Sequence, residues 1–288
     1  MLILFLAFNG LILLVLAILI GGTYYQSERL PKNTPSNYLK RQTLIKENTG
    51  IAVLIGDSIT HGRIGMNYVE MVERNFNEGQ FEFINAGINS ELAWNCLQRV
   101  DEVIQCKPDI VTVLVGTNDA NASMSEKQMK DYIKRMKLPR PPDIDWYRES
   151  LRSLVIKIRT ETNARIALLS IPTIGEDSSH PAFQRSSDFG RIVNEVAEET
   201  GVTYLPLHEK MVEYLQDGSA EPSYPYEKYL IGIIKGIMYH YLLRKSWDEI
   251  ASSSGFSLHV DYLHLNTAGA QIVADMITEF IQSTLTRT

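Results

Sequence analysis

The chain has 288 residues, of which 44% are hydrophobic and 22% are charged, proportions that are typical of a globular protein with a large core. Its net charge of -6 argues against nucleic acid as a partner, because phosphate binding needs a basic surface. The chain is not a disulfide scaffold, since its two cysteines, Cys96 and Cys106, lie about 15 Å apart in one predicted helix.

The first predicted element is an apolar segment, residues 1–23, which we interpret as a transmembrane anchor. Its stretch from Leu2 to Ile20 carries no charge and approaches the length of about 20 residues that a membrane-spanning helix needs. A signal peptide, cleaved or uncleaved, is the alternative, although no basic residue precedes the stretch and its apolar core exceeds the usual ~7–15 residues. The sequence therefore predicts a single-pass membrane protein. The side of the membrane stays open, because the basic residues after the segment favour a cytoplasmic domain, whereas large domains are translocated regardless.

Residues 24–50 are polar, contain Pro31 and Pro35, and are typical of a linker. From residue 51 to residue 286, short apolar runs alternate with amphipathic segments. This alternation predicts one α/β domain in which helices cover both faces of a parallel five-stranded sheet. The predicted strands are Ile51–Ile55, Phe81–Asn85, Ile110–Val115, Arg165–Ile171 and Val202–Leu205. The predicted helices cover residues 66–76, 91–106, 146–160, 183–200 and 267–284.

Two stretches, 119–145 and 207–260, exceed the usual loop lengths and are predicted to be insertions in the domain. The first contains a basic helix near residues 127–137, and the second contains an apolar helix near residues 229–243 that is too short to span a membrane. The two helices form either a lid that touches the membrane or a cap that packs on the domain, and both interpretations stay open.

Four short polar motifs carry the candidate chemistry. They are Gly56-Asp57-Ser58, Asn85-Ala86-Gly87, Gly116-Thr117-Asn118-Asp119 and Asp261-Tyr262-Leu263-His264. The first three motifs each follow a predicted strand, and the sites of open parallel sheets lie beyond the carboxyl ends of their strands. We therefore expect these motifs to meet at one edge of the sheet.

The residue types in these motifs predict acyl transfer by a serine nucleophile. We assign the nucleophile to Ser58 and, since a serine hydroxyl needs a neighbouring base, the base to His264. Asp261 shares a helical turn with His264 and can orient its imidazole. Gly87 can donate its backbone N–H, and Asn118 its side-chain amide, to the oxyanion of a tetrahedral intermediate. Each residue has an ordinary structural alternative, since serine and aspartate cap helices and glycine and asparagine occupy turns.

The four motifs together resemble the sequence blocks of the SGNH, or GDSL-type, esterase and lipase superfamily, in the same order and over residues 51–282. The resemblance implies a flavodoxin-like, three-layer α/β/α fold and a serine hydrolase that cleaves a carboxylic ester through an acyl-serine intermediate. The catalytic residues that it implies are Ser58, Asp261 and His264. The oxyanion donors that it implies are the backbone N–H of Ser58, the backbone N–H of Gly87 and the side chain of Asn118.

Some positions depart from the family or carry a second interpretation. Many members have a second glycine at the position of Ser90 and a proline at the position of Leu265. His61 either contacts the site or belongs to the loop structure. Asn121-Ala122-Ser123 matches a glycosylation sequon, which we interpret as incidental because it stands beside Asn118.

The sequence argues against other chemistries. It contains no Gly-x-Ser-x-Gly motif of the α/β-hydrolase type and no dinucleotide-binding glycine motif after the first strand. Its histidines and carboxylates show no zinc-ligand spacing, so we expect no metal and no cofactor. The expected partners are a small-molecule, lipid or glycan ester and, through the N-terminal segment, a membrane. Two functional alternatives stay open: an acyltransferase that acts on a glycan or lipid with the same site, and a non-catalytic, membrane-tethered binding module.

Overall fold

The computed structural model describes residues 17–46, 48–216 and 222–285, in which strands and helices alternate. The strands are β1 (Gly50–Gly56), β2 (Phe81–Gly87), β3 (Ile110–Leu114), β4 (Arg165–Leu169) and β5 (Thr203–Leu205). The helices are α1 (residues 17–28), α2 (Pro35–Arg41), α3 (Ser58–His61), α4 (Tyr68–Glu73), α5 (Ala93–Gln98), α6 (Val100–Gln105), α7 (Thr117–Ala122), α8 (Glu126–Met136), α9 (Ile144–Glu161), α10 (Pro181–Thr200), α11 (Leu207–Leu215), α12 (Tyr229–Tyr241), α13 (Trp247–Ser253) and α14 (Thr267–Leu285). Short 3-10 helices cover Gln42–Leu44 and Tyr226–Lys228.

The five strands form one parallel sheet in the order β2-β1-β3-β4-β5, which confirms the predicted flavodoxin-like architecture. Gly56 at the end of β1 stands opposite Gly87 of β2 and Leu114 of β3. The first three motifs therefore leave the sheet at the same level, and the loops that carry them start side by side. This common edge positions the candidate site.

Helices cover both faces of the sheet, because successive side chains of a strand point to opposite sides. In β1, Val53 and Ile55 belong to one core with residues of α5, α6, α9 and α10. Ala52 and Leu54 belong to a second core with residues of α4, α11 and α14. Each of these four side chains is at most 1% exposed. The sheet is therefore the middle layer of the predicted three-layer α/β/α arrangement.

The predicted helix over residues 91–106 is broken into α5 and α6, with Arg99 between them at φ -116° and ψ 11°. The guanidinium of Arg99 donates to a backbone carbonyl of β2 over 2.7 Å and pairs with Glu91 at 2.7 Å. These bonds at the sheet edge compete with a continuous helix. Cys96 therefore lies in α5, whereas Cys106 follows α6, and both are free, buried thiols.

The first insertion, residues 119–145, includes α8, and this helix packs on the domain. Tyr132 of α8 is 3% exposed and shares a small core with Leu92 and Trp146. Several basic side chains of α8 are exposed to solvent: Lys127, Lys130 and Lys134. This arrangement agrees with the interpretation of α8 as a cap whose charged face is solvated.

The second insertion, residues 207–260, contains α12, which has one buried face and one exposed apolar face. The buried face includes Gly232, where a Cβ atom would collide with the ring of Tyr224. On the exposed face, three large apolar side chains remain open to solvent: Leu230 at 50%, Ile231 at 63% and Ile234 at 61%. Packing on the domain accounts for the buried face of α12, but it does not explain why the opposite face, which is exposed to solvent, is apolar.

The predicted membrane anchor lies for the most part outside the described residues, which begin at residue 17. In the part of the chain that the structure describes, no helix is both long enough and apolar enough to cross a membrane. The described part of the segment is the start of α1, and this helix contacts the domain through Thr23 and, beyond the segment, through Ser27, at 6% and 0% exposure. Thr23 lies 4.0 Å from the sulfur of Met238 in α12, and the carbonyl of Ser27 accepts a hydrogen bond from Asn89 over 2.9 Å.

The predicted linker, residues 24–50, is partly folded onto the domain. It contains the end of α1 and the whole of α2, which begins with Pro35 after a Thr34 N-cap. Tyr38 of α2 is 6% exposed and joins the core on one face of the sheet. The carbonyl of Asn33 accepts a hydrogen bond from the backbone of β2 over 2.8 Å. These contacts hold the segment against the domain.

Candidate active site

Ser58 occupies the first position of α3, directly after β1, at the sheet edge described above. The N-cap of this helix is Asp57, whose carboxylate accepts a hydrogen bond from the Ile59 N–H over 3.0 Å. The helix-capping alternative for Ser58 therefore does not apply, because its neighbour performs that role. Ser58 is 8% exposed, and its hydroxyl is free to meet a base.

His264 lies between Ser58 and Asp261 in a continuous chain of hydrogen bonds. Its Nε2 atom is 2.9 Å from the Ser58 hydroxyl, and its Nδ1 atom is 2.9 Å from a carboxylate oxygen of Asp261. Since a carboxylate only accepts, Nδ1 carries the proton, and Nε2 is left to accept from the serine. The other oxygen of Asp261 accepts from the backbone N–H groups of Leu263 and His264. The structure thus brings Ser58 together with two residues that lie about 200 positions further along the sequence.

Burial and mutual attraction set the charge states of this pair. Burial favours neutral groups, but for His264 the attraction of the Asp261 carboxylate outweighs it and raises the pKa above the ordinary histidine value. For Asp261, burial is outweighed by the imidazole and by the two backbone N–H donors, which hold its pKa below the ordinary range. The pair is therefore arranged to stabilise an imidazolium beside a carboxylate.

A buried clamp holds the loop that carries Asp261 and His264. One oxygen of Glu176 accepts from the backbone N–H groups of Ser257, Leu258 and His259, at 3.0, 2.7 and 3.1 Å. The same oxygen lies 3.0 Å from the ring of His259, whose other nitrogen lies 2.8 Å from a backbone carbonyl. The sequence did not reveal Glu176, because no motif surrounds it and its partners lie more than 80 positions away.

Asn118 lies at the second position of α7, and both the nitrogen and the oxygen of its side-chain amide are hydrogen-bonded. The amide nitrogen donates to the carbonyl of Glu91 over 3.0 Å, and the amide oxygen accepts from the hydroxyl of Tyr132 over 2.7 Å. Asn118 is 5% exposed. Because an amide nitrogen carries two hydrogens, one remains for a ligand.

The predicted donor at Gly87 has a different role in the structure. Its N–H donates to the side-chain oxygen of Asn85 over 2.9 Å, and the amide of Asn85 donates to the carbonyl of Thr60 over 2.7 Å. A Cβ atom at Gly87 would also collide with the backbone of His61. Gly87 therefore lets β2 and α3 approach each other, and its geometry gives no support to the prediction that it is an oxyanion donor.

The loop after β2 offers another donor, which the sequence reasoning missed. Ser90 adopts the left-handed region at φ 66°, a conformation that favours glycine. Within the described part of the chain its N–H has no hydrogen-bond acceptor, and the next residue, Glu91, is the one that binds the amide of Asn118. The signal was present in the sequence, since Ser90 stands where many members of the family have their second glycine.

Two further carboxyl groups are buried near the strand ends. Burial raises the pKa of Asp57 to about 7 and that of Asp119 also to about 7. Asp119 accepts a hydrogen bond from the N–H of Ala93 over 3.1 Å. Asp119 therefore connects the loop around Asn118 to the start of α5, whereas Asp57 caps the helix that carries Ser58.

The remaining sequence candidates are structural. His61 is 1% exposed, its ring binds Asn89 over 2.7 Å, and burial lowers its pKa. Asn121 of the sequon is fully buried, and both ends of its amide are hydrogen-bonded to neighbouring side chains, so it is closed to glycosylation. In the ranges that the structure describes, no group of three or more histidine, cysteine or acidic side chains is placed to hold a metal ion.

A cavity of about 960 Å³ lies beside the loop of the candidate site. Its lining includes Tyr262, which stands between Asp261 and His264 in the sequence, together with Tyr224 and Tyr226 of the second insertion. Neither Ser58 nor His264 lines it. The cavity therefore adjoins the candidate site and is not part of it.

The comparisons with known proteins agree with this fold. A family model described as the GDSL-like Lipase/Acylhydrolase family matches residues 54–272. The acetylxylan esterase of Geobacillus stearothermophilus is 29% identical to the chain over 182 residues, which make up 57% of this chain and 78% of that protein. A solved structure of a catalytic mutant of the acetylxylan esterase Axe2, from the same organism, has a TM-score of 0.58 at 22% identity and covers 82% of this chain and 95% of that one. LAE5, an α/β hydrolase enzyme from the metagenome of Lake Arreo in Spain, has a TM-score of 0.56 at 21% identity, with 79% and 93% covered.

The fold and the match define the class of the protein as a serine esterase that acts on carboxylic ester bonds, and this prediction is confirmed. The chain belongs to the GDSL-like lipase/acylhydrolase family, because the family model covers more than half of it. The predicted resemblance is confirmed with it. The solved structures, at 21% and 22% identity, show the shared fold alone.

Proposed function

We propose that the chain cleaves its ester substrate through an acyl intermediate on Ser58. The observation that carries this proposal is the hydrogen-bonded chain from Ser58 through His264 to Asp261, with both bonds at 2.9 Å. In this proposal His264 takes the proton from the serine hydroxyl as the oxygen attacks the ester carbonyl. Asp261 holds the imidazole in the correct tautomer and stabilises the imidazolium that forms.

The tetrahedral intermediate then carries a negative charge that needs N–H donors. We assign these donors to the backbone N–H of Ser58, the free amide hydrogen of Asn118 and the backbone N–H of Ser90. The loop at Ser90 replaces Gly87 in this assignment, because the Gly87 N–H is bound to Asn85. His264 returns its proton to the leaving alcohol, and water then repeats the cycle on the acyl-serine.

A fluorophosphonate probe tests the nucleophile, because it reacts only with an activated serine. We expect the full chain to be labelled at Ser58 and the Ser58→Ala variant to be unlabelled. The matched control is Ser252→Ala, which removes an exposed serine of α13 and should leave labelling unchanged. Equal labelling of the wild type and Ser58→Ala would refute the proposal.

For the substrate we propose an O-acetylated carbohydrate, so that the reaction is an O-deacetylation. The support is the 29% identity over 182 residues to a protein described as an acetylxylan esterase. The test compares release of acetate from acetylated xylo-oligosaccharides with hydrolysis of nitrophenyl esters of increasing acyl length. Faster turnover of the long-chain esters would contradict this substrate class. Transfer of acetyl to an added sugar alcohol, faster than release of acetate, would instead identify an acyltransferase.

We also propose that the N-terminal segment holds the chain at a membrane. In the sequence, residues 1–16 are apolar except for Asn9 and Gly10. They lead into α1, which is bound to the domain through Thr23 and Ser27. The exposed apolar face of α12 lies beside α1, so it is the surface of the domain best placed to meet the same bilayer.

A further inference from the structure

An oxyanion donor at Asn118 works only if its amide group is turned the right way. A side-chain amide has a donor end and an acceptor end of almost the same shape, and only the nitrogen can stabilise an oxyanion. The carbonyl of Glu91, at 3.0 Å, accepts only and therefore selects the nitrogen. The opposite end of the amide then meets the hydroxyl of Tyr132 at 2.7 Å, which must donate. Two contacts from different parts of the chain thus agree on one orientation.

The direction of the Tyr132 hydroxyl is itself set by further bonds. The amide nitrogen of Asn121 donates to this hydroxyl over 3.1 Å, which leaves the hydroxyl hydrogen for Asn118. The amide oxygen of Asn121 accepts from Gln128 over 3.1 Å and from the hydroxyl of Tyr226. The hydrogen bonds of this network therefore all run in one direction, with each outer residue donating to the residue that is nearer to Asn118.

The network connects both insertions to the candidate site. Tyr132 and Gln128 belong to α8 in the first insertion, and Tyr226 belongs to the second. Gln128 also donates to the Tyr226 hydroxyl over 3.0 Å. Both tyrosines of the network are buried, with Tyr132 at 3% exposure and Tyr226 at 5%. A buried network whose donors and acceptors are matched holds its members in one arrangement.

We propose that Tyr132 is a positioning residue that holds the Asn118 amide in the orientation needed to stabilise the oxyanion. The proposal rests on the proposed ester hydrolysis at Ser58. It assigns to α8 a function beyond that of a cap, because the helix supplies the hydroxyl that completes the second contact of Asn118. Tyr226, which reaches Tyr132 through Asn121, supports the same orientation from the second insertion.

The test is the Tyr132→Phe variant of the full chain, which removes one oxygen and keeps the buried ring. We expect kcat for nitrophenyl acetate to fall by about tenfold with little change in KM, because the lost bond orients a group that acts in the transition state. Asn118→Ala should lower kcat by about 10²–10³-fold. The matched control is Tyr204→Phe, which removes from β5 a hydroxyl that donates to Glu209 of α11 and should leave kcat unchanged.

A double variant separates positioning from general structural damage. If Tyr132 acts through Asn118, adding Tyr132→Phe to Asn118→Ala should cost no further activity. Wild-type kcat in Tyr132→Phe would overturn the inference, and so would the same tenfold loss in both backgrounds. The proposed function is tested separately: turnover that survives Ser58→Ala would refute the nucleophile, whatever the Tyr132 variants show.

Discussion

The imidazole of His264 accepts the serine proton only when its Nε2 atom is unprotonated. Its pKa is raised because Asp261 favours the imidazolium more strongly than burial opposes it. As pH falls through this raised pKa, His264 becomes protonated on both nitrogens and can no longer act as a base. The proposed activity should therefore be present above that pKa and lost below it.

The pH dependence of kcat/KM provides the corresponding prediction. We expect one ascending limb with a midpoint above the ordinary histidine value of about 6.5. In Asp261→Asn the opposing effect of burial remains and the attraction is lost, so the midpoint should move to lower pH. The plateau value of kcat/KM should fall by about 10⁴-fold, because the carboxylate no longer holds the imidazole in the tautomer that carries its proton on Nδ1. Initial rates on nitrophenyl acetate measure both, and an unshifted midpoint in the variant would contradict the role of Asp261.

At the residue scale, short motifs were sufficient to predict Ser58, Asp261 and His264 as neighbours. Gly87 shows the limit of this reasoning, because a glycine that is needed for close packing and a glycine that donates its N–H look alike in a sequence. Tyr132 carries no signal at all, since its hydroxyl matters only through contacts that the fold creates. Residues that act on other residues are therefore the hardest to predict.

At the scale of elements, one buried carboxylate holds the start of the loop from Ser257 to His264. Glu176 accepts three consecutive backbone N–H groups and faces the ring of His259. The side chains of Glu176 and His259 are both fully shielded from solvent. Solvent does not reach these bonds in the native structure, so we expect a change of the carboxylate to weaken the fixed shape of the loop that carries the base.

The variant Glu176→Gln tests this clamp. It keeps the oxygen that accepts the three backbone N–H groups, but it removes the negative charge beside the ring of His259. It also turns an amide nitrogen, which cannot accept, towards the N–H of Ser257, which the second carboxylate oxygen otherwise accepts over 2.8 Å. We expect a loss of about 3–5 kcal/mol in the free energy of unfolding and a lower kcat, both measured on the full chain by urea titration and initial rates. Asp177→Asn, a change at the exposed neighbour, serves as the control. Unchanged stability in Glu176→Gln would show that the loop is held by other contacts.

The pattern of apolar runs was sufficient to predict all five strands and the layers around them. Parallel strands that are buried on both faces are nearly continuous runs of apolar residues, and such runs are easily recognised in a sequence. The pattern was not sufficient for the break between α5 and α6. There the apolar periodicity continues, and the helix is interrupted by the side chain of Arg99, which binds the end of β2. The periodicity of apolar residues indicates which face of a helix is buried. A break in the helix, such as the one at Arg99, depends on a bond to a residue that is distant in the sequence.

At the scale of the whole molecule, α1 and α12 both expose large apolar side chains to solvent. Ile18 and Ile20 of α1 are 63% and 54% exposed, close in value to Ile231 of α12. The exposed side chains of α12 would each contribute roughly 1 kcal/mol on entering a bilayer, which is too little for stable binding alone. The apolar N-terminal segment would supply the anchoring, and α12 would then set how the domain rests on the surface.

A fluorescent probe at Ile231 tests this arrangement in the full chain. The variant Ile231→Cys is labelled with an environment-sensitive dye and reconstituted with vesicles of phosphatidylcholine and phosphatidylglycerol, which are anionic because of the phosphatidylglycerol. Its emission should be blue-shifted, and nitroxide-labelled lipids should quench it. The matched control is Glu279→Cys, an exposed position on α14, a helix that packs on the core shared with α4 and α11, where we expect no quenching. The buried thiols of Cys96 and Cys106 should label weakly, and the unsubstituted chain measures that background.

The outcome depends on contact with lipid, which separates a bilayer from other ways of covering α12. Equal emission and quenching at the two positions would show that α12 does not touch the membrane. A blue shift that grows with protein concentration and is insensitive to the nitroxide lipids would show that a second copy covers the surface. Replacing Leu230, Ile231 and Ile234 with serine should leave turnover of a soluble ester unchanged, because none of these side chains belongs to the candidate site. It should lower turnover only of a substrate presented in the same vesicles, since the domain would no longer rest on them.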